Sequence, residues 1–268
     1  MKILHLAKTP IAGSPGMIVR VLNNYSDYDA MVYVASTNVR DMDFSCDYQS
    51  MLPAEYLREA MAAADIIHFH NTAPNEWEGI DPGKKMVIQI HSGPATMLRL
   101  AEGYPDIKKI VVAQKQAILF ERCGYTMEMV PQLIPIFEEQ YMPDNHKNDR
   151  VHIFYAPSST VKLDDYEDTC IGKGYEETMP ILERIGKSHG DNVKITVMVG
   201  KSKAEVLAMK RTADIVVDEC VTGGYHLASL EGLSMGCAVF GYLTPDIQSI
   251  SFRMAPGAKY LPWCTPKV

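Results

Sequence analysis

The residues best placed to do chemistry stand together in Gly223-Gly224-Tyr225-His226-Leu227-Ala228-Ser229-Leu230-Glu231. The run follows a strand-like segment, Ala213 to Asp218, and precedes another, Cys237 to Phe240, so it reads as strand, glycine turn, helix, strand. Two glycines at the mouth of a helix let backbone N–H groups approach a ligand closely. The first amides of that helix lack intrahelical partners and lie at the positive end of its dipole, so they favour an anion. Leu227, Leu230, Glu231 and Ser234 share one helical face by spacing. Glu231 therefore sits on the side expected to face the protein, where an unpaired carboxylate is expensive. A ligand hydroxyl is the partner its position beside the turn suggests.

Histidines form the second group. In Asp65-Ile66-Ile67-His68-Phe69-His70-Asn71, strand alternation puts His68 and His70 on one face. A His-x-His pair can ligate a metal, but no acidic ligand follows at a suggestive spacing. His70 ends its strand, and the carboxyl ends of α/β strands are where such sheets bind ligands. From the residues alone it reads as a metal ligand or as a structural histidine. His91 ends the next strand, ahead of Ser92-Gly93-Pro94, and is the residue of the first half most open to a chemical role; the alternative is a strand-end histidine bonded to nearby backbone.

These groups need elements to hold them. Lys2 to Ala7 reads as a first buried strand, followed by the loop Lys8 to Gly16 and a helix with Ile18, Val21, Leu22 and Tyr25 at helical spacing. Ser14 suits an N-cap and Pro15 the first helical position. The loop opens like a nucleotide-binding turn but lacks GxGxxG, so the dinucleotide fingerprint is absent. Strands are expected at Asp29–Ser36, Asp65–Asn71, Lys85–His91, Lys109–Ala113 and Met127–Ile134, alternating with helices at Pro53–Ala64, from Pro94, and at Gln114–Cys123. The polar stretch from Phe137 to Arg150 reads as a linker, after which the pattern restarts with a strand at Val151–Ala156 and a helix at Tyr175–His189. Further strands are expected at Val193–Val199, Asp214–Asp218, Ala238–Leu243 and Lys259–Trp263, with a helix from Ser202 to Lys210. Such alternation predicts parallel sheets.

Composition bounds the function. The chain has 268 residues, 47% of them apolar, with a formal net charge of −7, which argues against strong nonspecific nucleic-acid binding. Cys46, Cys123, Cys170, Cys220, Cys237 and Cys264 show no CxxC spacing and read as free thiols in a reducing, cytoplasmic setting. The sequence contains neither a signal peptide nor an apolar run of about 18 residues, so no spanning helix is expected.

The Gly223–Gly236 segment resembles the donor-binding segment of retaining GT-B glycosyltransferases of the family-four type. The resemblance implies two Rossmann-like parallel-sheet domains facing across a cleft: an acceptor-side domain at 1–140, a linker at 141–150 and a nucleotide-sugar-binding domain at 151–268. In that family two glutamates are separated by seven residues; here Glu231 matches the second and Gly223 stands at the first. The donor would be held by Gly223, Gly224, Tyr225, His226, Leu227 and Glu231, with Glu231 on the ribose. Lys173, in a Lys-Gly pair before a helix, matches the family's diphosphate-neutralising lysine. The family's other basic position is unmatched, with Ser158 or Ser159 near it and Lys162 as a substitute. Gly13 and Ser14 correspond to the family's small-residue loop, His70 to a cleft-lining position on the acceptor side, and His91 to a histidine near the reacting sugar. The family continues into further C-terminal helices, so the chain is either minimal or part of a longer one.

The implied activity is transfer of a sugar from a nucleotide-sugar to a hydroxyl with retention of configuration, by front-face chemistry. No cofactor or metal is required, and a uridine diphosphate sugar is the commonest donor in the family. The acceptor stays open among a glycan, a lipid-linked sugar, a protein, a metabolite and a modified nucleic-acid base. Two rivals stand beside this reading: a noncatalytic two-lobed protein that binds sugar or nucleotide, and a metal-dependent hydrolase built on His68, His70 and His91.

Overall fold

The computed structural model describes residues 1–39, 42–112, 115–144, 148–160, 174–221, 223–247 and the two-residue strand at 263–264. The chain divides into two compact units, Met1–Pro135 and Ile136–Val268.

In the first unit, β1 (Lys2–Ala7), β2 (Asp29–Val34), β5 (Ile66–His70), β6 (Lys85–Ile90), β7 (Lys108–Val112) and β8 (Glu128–Val130) form one parallel sheet in the order β2-β1-β5-β6-β7-β8. Helices α1 (Ser14–Tyr25), α2 (Leu57–Ala63), α3 (Pro94–Glu102) and α4 (Lys115–Arg122) make the connections. One face of the sheet buries Leu4, Leu6, Ile67, Phe69, Ile88, Ile90 and Val111 in a continuous apolar core. The other face carries Ile3, Ala7, Ala30, Val32 and Val34 against Val19 of α1. Full burial of side chains of this size is worth about 1.5–3 kcal/mol each. The strand order reverses between β1 and β5, which makes that pair the topological switch point, where α/β sheets bind their ligands.

A hairpin of β3 (Asn38–Val39) and β4 (Met42–Asp43) pairs antiparallel outside the main sheet. It was not expected, because two-residue strands carry no readable alternation. The helix expected at Pro53–Ala64 is shorter, a 3-10 turn at Ala54–Tyr56 running into α2.

In the second unit, β9 (Val151–Tyr155), β10 (Val193–Val197), β11 (Ile215–Val217), β12 (Ala238–Phe240) and β13 (Trp263–Cys264) form a second parallel sheet in the order β10-β9-β11-β12-β13. Its helices are α5 (Tyr175–His189), α6 (Lys203–Lys210) and α7 (Leu227–Ser234). Ser202 caps α6 by accepting the Glu205 N–H, and Glu205 reaches back to the Ser202 N–H at 3.0 Å, a reciprocal capping box. The switch point of this sheet lies between β9 and β11, directly ahead of the glycine turn. Among the described residues no helix is long and apolar enough to cross a membrane, and Cys46, Cys123, Cys220 and Cys237 are free thiols.

Candidate functional site

The turn between β11 and α7 is shaped by two carboxylates that the sequence reading did not single out. Asp218 and Glu219, both fully buried, follow the last residue of β11. Glu219 accepts hydrogen bonds from the Val221 N–H and, at 3.1 Å, from the Gly223 N–H. Asp218 accepts from the His226 N–H at 2.9 Å and from the Ser229 hydroxyl, with the His226 ring 3.5 Å away. Three loop amides therefore point at the chain's own carboxylates. Burial, with Glu219 and then Asp218 beside it, pushes the Cys220 thiol up to about 12, so it stays protonated and is no nucleophile.

Gly223 has φ of 84°, and a Cβ there would lie 2.3 Å from Thr244 Cγ2. The position demands glycine on both counts, which explains why the glutamate of the resembled motif does not stand there. Gly224 and Tyr225 are buried, whereas His226 and Leu227 are half-buried.

Glu231 is only 4% exposed, and its partners are protein cations. Lys210 of α6 donates to Oε2, and Lys203, at the other end of the same helix, lies 3.4 Å from Oε1. Both ammonium groups are themselves buried. The expected leucine face is not the buried one: α7 buries Ser229, Glu231 and Gly232, while Leu227 and Leu230 are half-exposed. The reason is Gly232, whose missing side chain seats the helix on Val216 of β11 and Val239 of β12. Breaking a buried pair strands a charge, so Lys210→Met is expected to destabilise the protein by about 3 kcal/mol in urea titration. The triple variant Lys203→Met/Lys210→Met/Glu231→Leu, which strands no charge of the cluster, should recover most of that loss; Lys210→Met within about 0.5 kcal/mol of wild type would refute the coupling.

The start of α5 lies against the same turn. Gly174, its N-cap with φ of 66°, is so close to Val221 that a Cβ would sit 2.4 Å from Val221 Cγ2. Lys162 and Lys173 lie outside the described residues.

In the first unit the histidines are brought together, with one the sequence did not suggest. Parallel register sets His5 of β1 beside His68 of β5, and Ala7 beside His70. The ring centroids of His68 and His70 are 4.3 Å apart and those of His5 and His68 4.7 Å. His5 Nδ1 is 3.0 Å from His70 Nε2, and His70 Nδ1 is 2.9 Å from His91 Nε2. Gln132 Nε2 lies 3.3 Å from His91 Nδ1, and its Oε1 accepts from the Ser14 hydroxyl at 2.7 Å. His91 thus has a protein partner on each ring nitrogen, and its main-chain N–H donates to Asn71 Oδ1 at 2.7 Å. Burial, aided by the neighbouring rings, holds His5 and His70 well below the ordinary histidine range. Burial lowers His68 to about 4 against an opposing contribution from Gln89, and lowers His91 to about 3 with His68 adding to it.

Ser14 does not cap α1, because its hydroxyl is spent on Gln132; the N-cap is Gly13, with φ of 84°. Ile11 and Ala12 before it also have positive φ, of 46° and 52°, as does Asn71, at 52°, after β5. Left-handed backbone at non-glycine residues is strained, and among the described residues all but Tyr104 of those that adopt it follow β1 or β5. A surface cavity of about 740 Å³, lined by Trp77, Ile80, Met86 and Tyr104, lies instead near Lys85 and Lys108 at the amino ends of β6 and β7.

The metal cluster these side chains could form among the described residues is His5, His68 and His70, rather than His68, His70 and His91. The difference arises from register, which places His5 in the row and His91 one ring further out.

Two parallel-sheet Rossmann-like units of this kind make the GT-B fold. No family model matches the chain, and no curated protein matches it in sequence. Among solved structures it is similar to a glycosyltransferase from Rickettsia africae ESF-5, with a TM-score of 0.53 and 10% identity over 100% of this chain and 84% of that one. Further likenesses are to S. aureus MnaA in its co-structure with UDP (TM-score 0.49, 10% identity, 90% of this chain and 79% of that one). Sucrose-phosphate synthase from Thermosynechococcus elongatus gives a TM-score of 0.48 and 12% identity over 100% of this chain and 87% of that one. At these identities the similarity is one of fold.

Proposed function

We propose that the protein is a glycosyltransferase that moves a sugar from a nucleotide-sugar to a hydroxyl acceptor with retention of configuration. The observation that carries this reading is the full-length likeness of fold to the R. africae glycosyltransferase. A fold hosts many activities, so the site must support it too. The glycine turn and the start of α5 meet beside the β9/β11 switch point; with the Val221, Gly223 and His226 amides taken by Glu219 and Asp218, an anionic ligand would be held by the first amides of α7 beyond His226.

In this reading the donor diphosphate takes Lys173 and the turn from Gly223 to Leu227, and the ribose hydroxyls take Glu231. Lys203 and Lys210 hold that carboxylate in place as an acceptor. Lys162 is a further basic group for the phosphates. Gly13 and Ser14 shape the loop after β1, and acceptor recognition falls to the first unit with His70 and His91. The catalytic contribution is orientation and stabilisation of the leaving diphosphate.

A second reading, binding of sugar or nucleotide without turnover, is favoured by one observation: both ring nitrogens of His91 are engaged by His70 and Gln132.

A thermal-shift series with uridine, guanosine, adenosine and cytidine diphosphates tests the site. One base should raise the melting temperature by several degrees at about 100 times its Kd. Gly223→Glu, which restores the motif's glutamate in a position that cannot hold it, should abolish the shift. Absence of any shift up to millimolar nucleotide would sink the donor site. Shift without nucleoside diphosphate release from any nucleotide-sugar would select the second reading, and the anomeric proton coupling of a product would test retention.

A further inference from the structure

A buried neutral imidazole has one N–H to donate and one bare nitrogen to accept, and each wants a partner. His152 in the second unit meets this demand: its Nδ1 is 2.9 Å from the Thr212 carbonyl and its Nε2 2.9 Å from Thr196 Oγ1. His5 and His68 do not. Nε2 of each is buried without a hydrogen-bond partner. An unsatisfied buried polar atom is costly and calls for an explanation.

We infer that His5, His68 and His70 form a binding site for a transition-metal dication of the zinc class. One ring nitrogen from each lies within 4.8 Å of the others. Tetrahedral ligands at 2.0–2.1 Å from zinc stand about 3.4 Å apart, so the rings need to close by roughly an ångström. The frame is stiff, since His5 and His68 are register neighbours on adjacent parallel strands and His70 follows on the same face. The cluster lies between β1 and β5, the switch point of the first sheet. Three neutral nitrogens with no carboxylate among them suit zinc, cobalt, nickel or copper and not magnesium or calcium. Burial keeps the rings in the neutral, ligating form.

The surroundings also supply what a metal-bound histidine needs behind it. A ligating imidazole usually donates its other N–H to a fixed acceptor. With His70 bound through Nε2, which gives up its hydrogen bond with His5 Nδ1, its Nδ1–H donates to His91 Nε2, 2.9 Å away. His91 Nδ1–H then donates to the Gln132 amide oxygen, and the amide turns its NH₂ to Ser14. Loading thus sets the direction of the whole chain. This inference is independent of sugar transfer; a site of this kind would order the strands at the switch point.

The test uses the whole chain, stripped with chelator and titrated with zinc by calorimetry and with cobalt by visible absorption. One equivalent of zinc per chain is expected, with cobalt d–d bands of a nitrogen-ligated tetrahedral site and no uptake of magnesium. His5→Gln and His68→Gln should each weaken zinc binding at least tenfold, whereas His189→Gln, at an exposed histidine on α5, should not. Should either buried variant misfold, X-ray absorption of the zinc-loaded wild type decides: three imidazole nitrogens at about 2.0 Å support the site. Failure to take up zinc, uptake unchanged in both variants, or a first shell of oxygen or sulfur alone would overturn it.

Discussion

Between pH 6.5 and pH 5 the chelator-treated protein is expected to lose most of its stability, and the first unit to unfold near the lower end of that window. His5, His68, His70 and His91 are held neutral in the fold, with His68 lowered to about 4 and His91 to about 3 by burial. In the unfolded chain each titrates near 6.5. The unfolded state therefore binds more protons over this range, and stability rises with pH. The contribution is fully present above 6.5 and is lost as pH falls toward the folded values. Each ring held neutral forfeits about 1.4 kcal/mol per pH unit below 6.5, or roughly 2 kcal/mol by pH 5. Four of them are together comparable with the 5–15 kcal/mol that stabilises a whole protein. Burial is the first cause in every case; the neighbouring rings come next for His5, His70 and His91, while Gln89 opposes the shift at His68, so protonating His68 makes the other three harder to protonate. Urea titrations from pH 8 to pH 5 should give a slope approaching four protons per chain. His68→Gln should lower that slope by about one. A slope of one proton or fewer would show that the rings are solvated and can charge without unfolding.

That acid sensitivity was not legible in the sequence, and the reason is specific. His68 and His70 share a face by strand alternation, which local spacing reveals. His5 joins them only through the parallel register of β1 on β5, and register is fixed by the crossover and the core, not by anything near His5 in the chain. The same limit applies at the glycine turn. The order of strand, turn and helix was readable, as were the parallel sheets and the helix that starts at Ser202. Glu231 was readable as a buried carboxylate needing a partner; that the partners are Lys203 and Lys210 was not, because their pairing depends on how α6 packs beside α7. Nor could the sequence show that Asp218 and Glu219 turn back to take the loop's amides. One cue was available there: two adjacent carboxylates directly after an apolar strand must find donors, and the nearest are the amides of the following turn.

Gly16→Ala is expected to destabilise the protein by about 3 kcal/mol or more, although alanine ordinarily favours a helix over glycine by up to about 1 kcal/mol. Gly16 lies in the first turn of α1, and a Cβ there would stand 2.1 Å from the Asp47 carbonyl oxygen and 3.2 Å from Tyr48 Cε1. The nearest atom is backbone and cannot swing aside as a side-chain tip would. Arg20, one turn further along α1, grips the same residue, donating to the Asp47 carbonyl at 2.7 Å and to its carboxylate at 3.0 Å. The Tyr48 hydroxyl donates to the Pro10 carbonyl at 2.6 Å, which ties this contact to the strained Ile11–Gly13 loop. An added methyl therefore pushes 47–48 off the helix, weakens a half-buried ion pair and loosens the loop that leads to Ser14. Overpacking alone costs about 1–3 kcal/mol, and the lost hydrogen bonds add to it. Gly186→Ala is the comparison that isolates the cause. It lies inside α5 with its nearest neighbour, Ile195 Cδ1, at 3.4 Å, an ordinary contact. There the same substitution should be neutral or stabilising, by up to about 1 kcal/mol. Opposite signs in urea titration would establish that close backbone approach, not helix propensity, fixes glycine at position 16; a Gly16→Ala protein as stable as wild type would show that the 47–48 segment can withdraw freely.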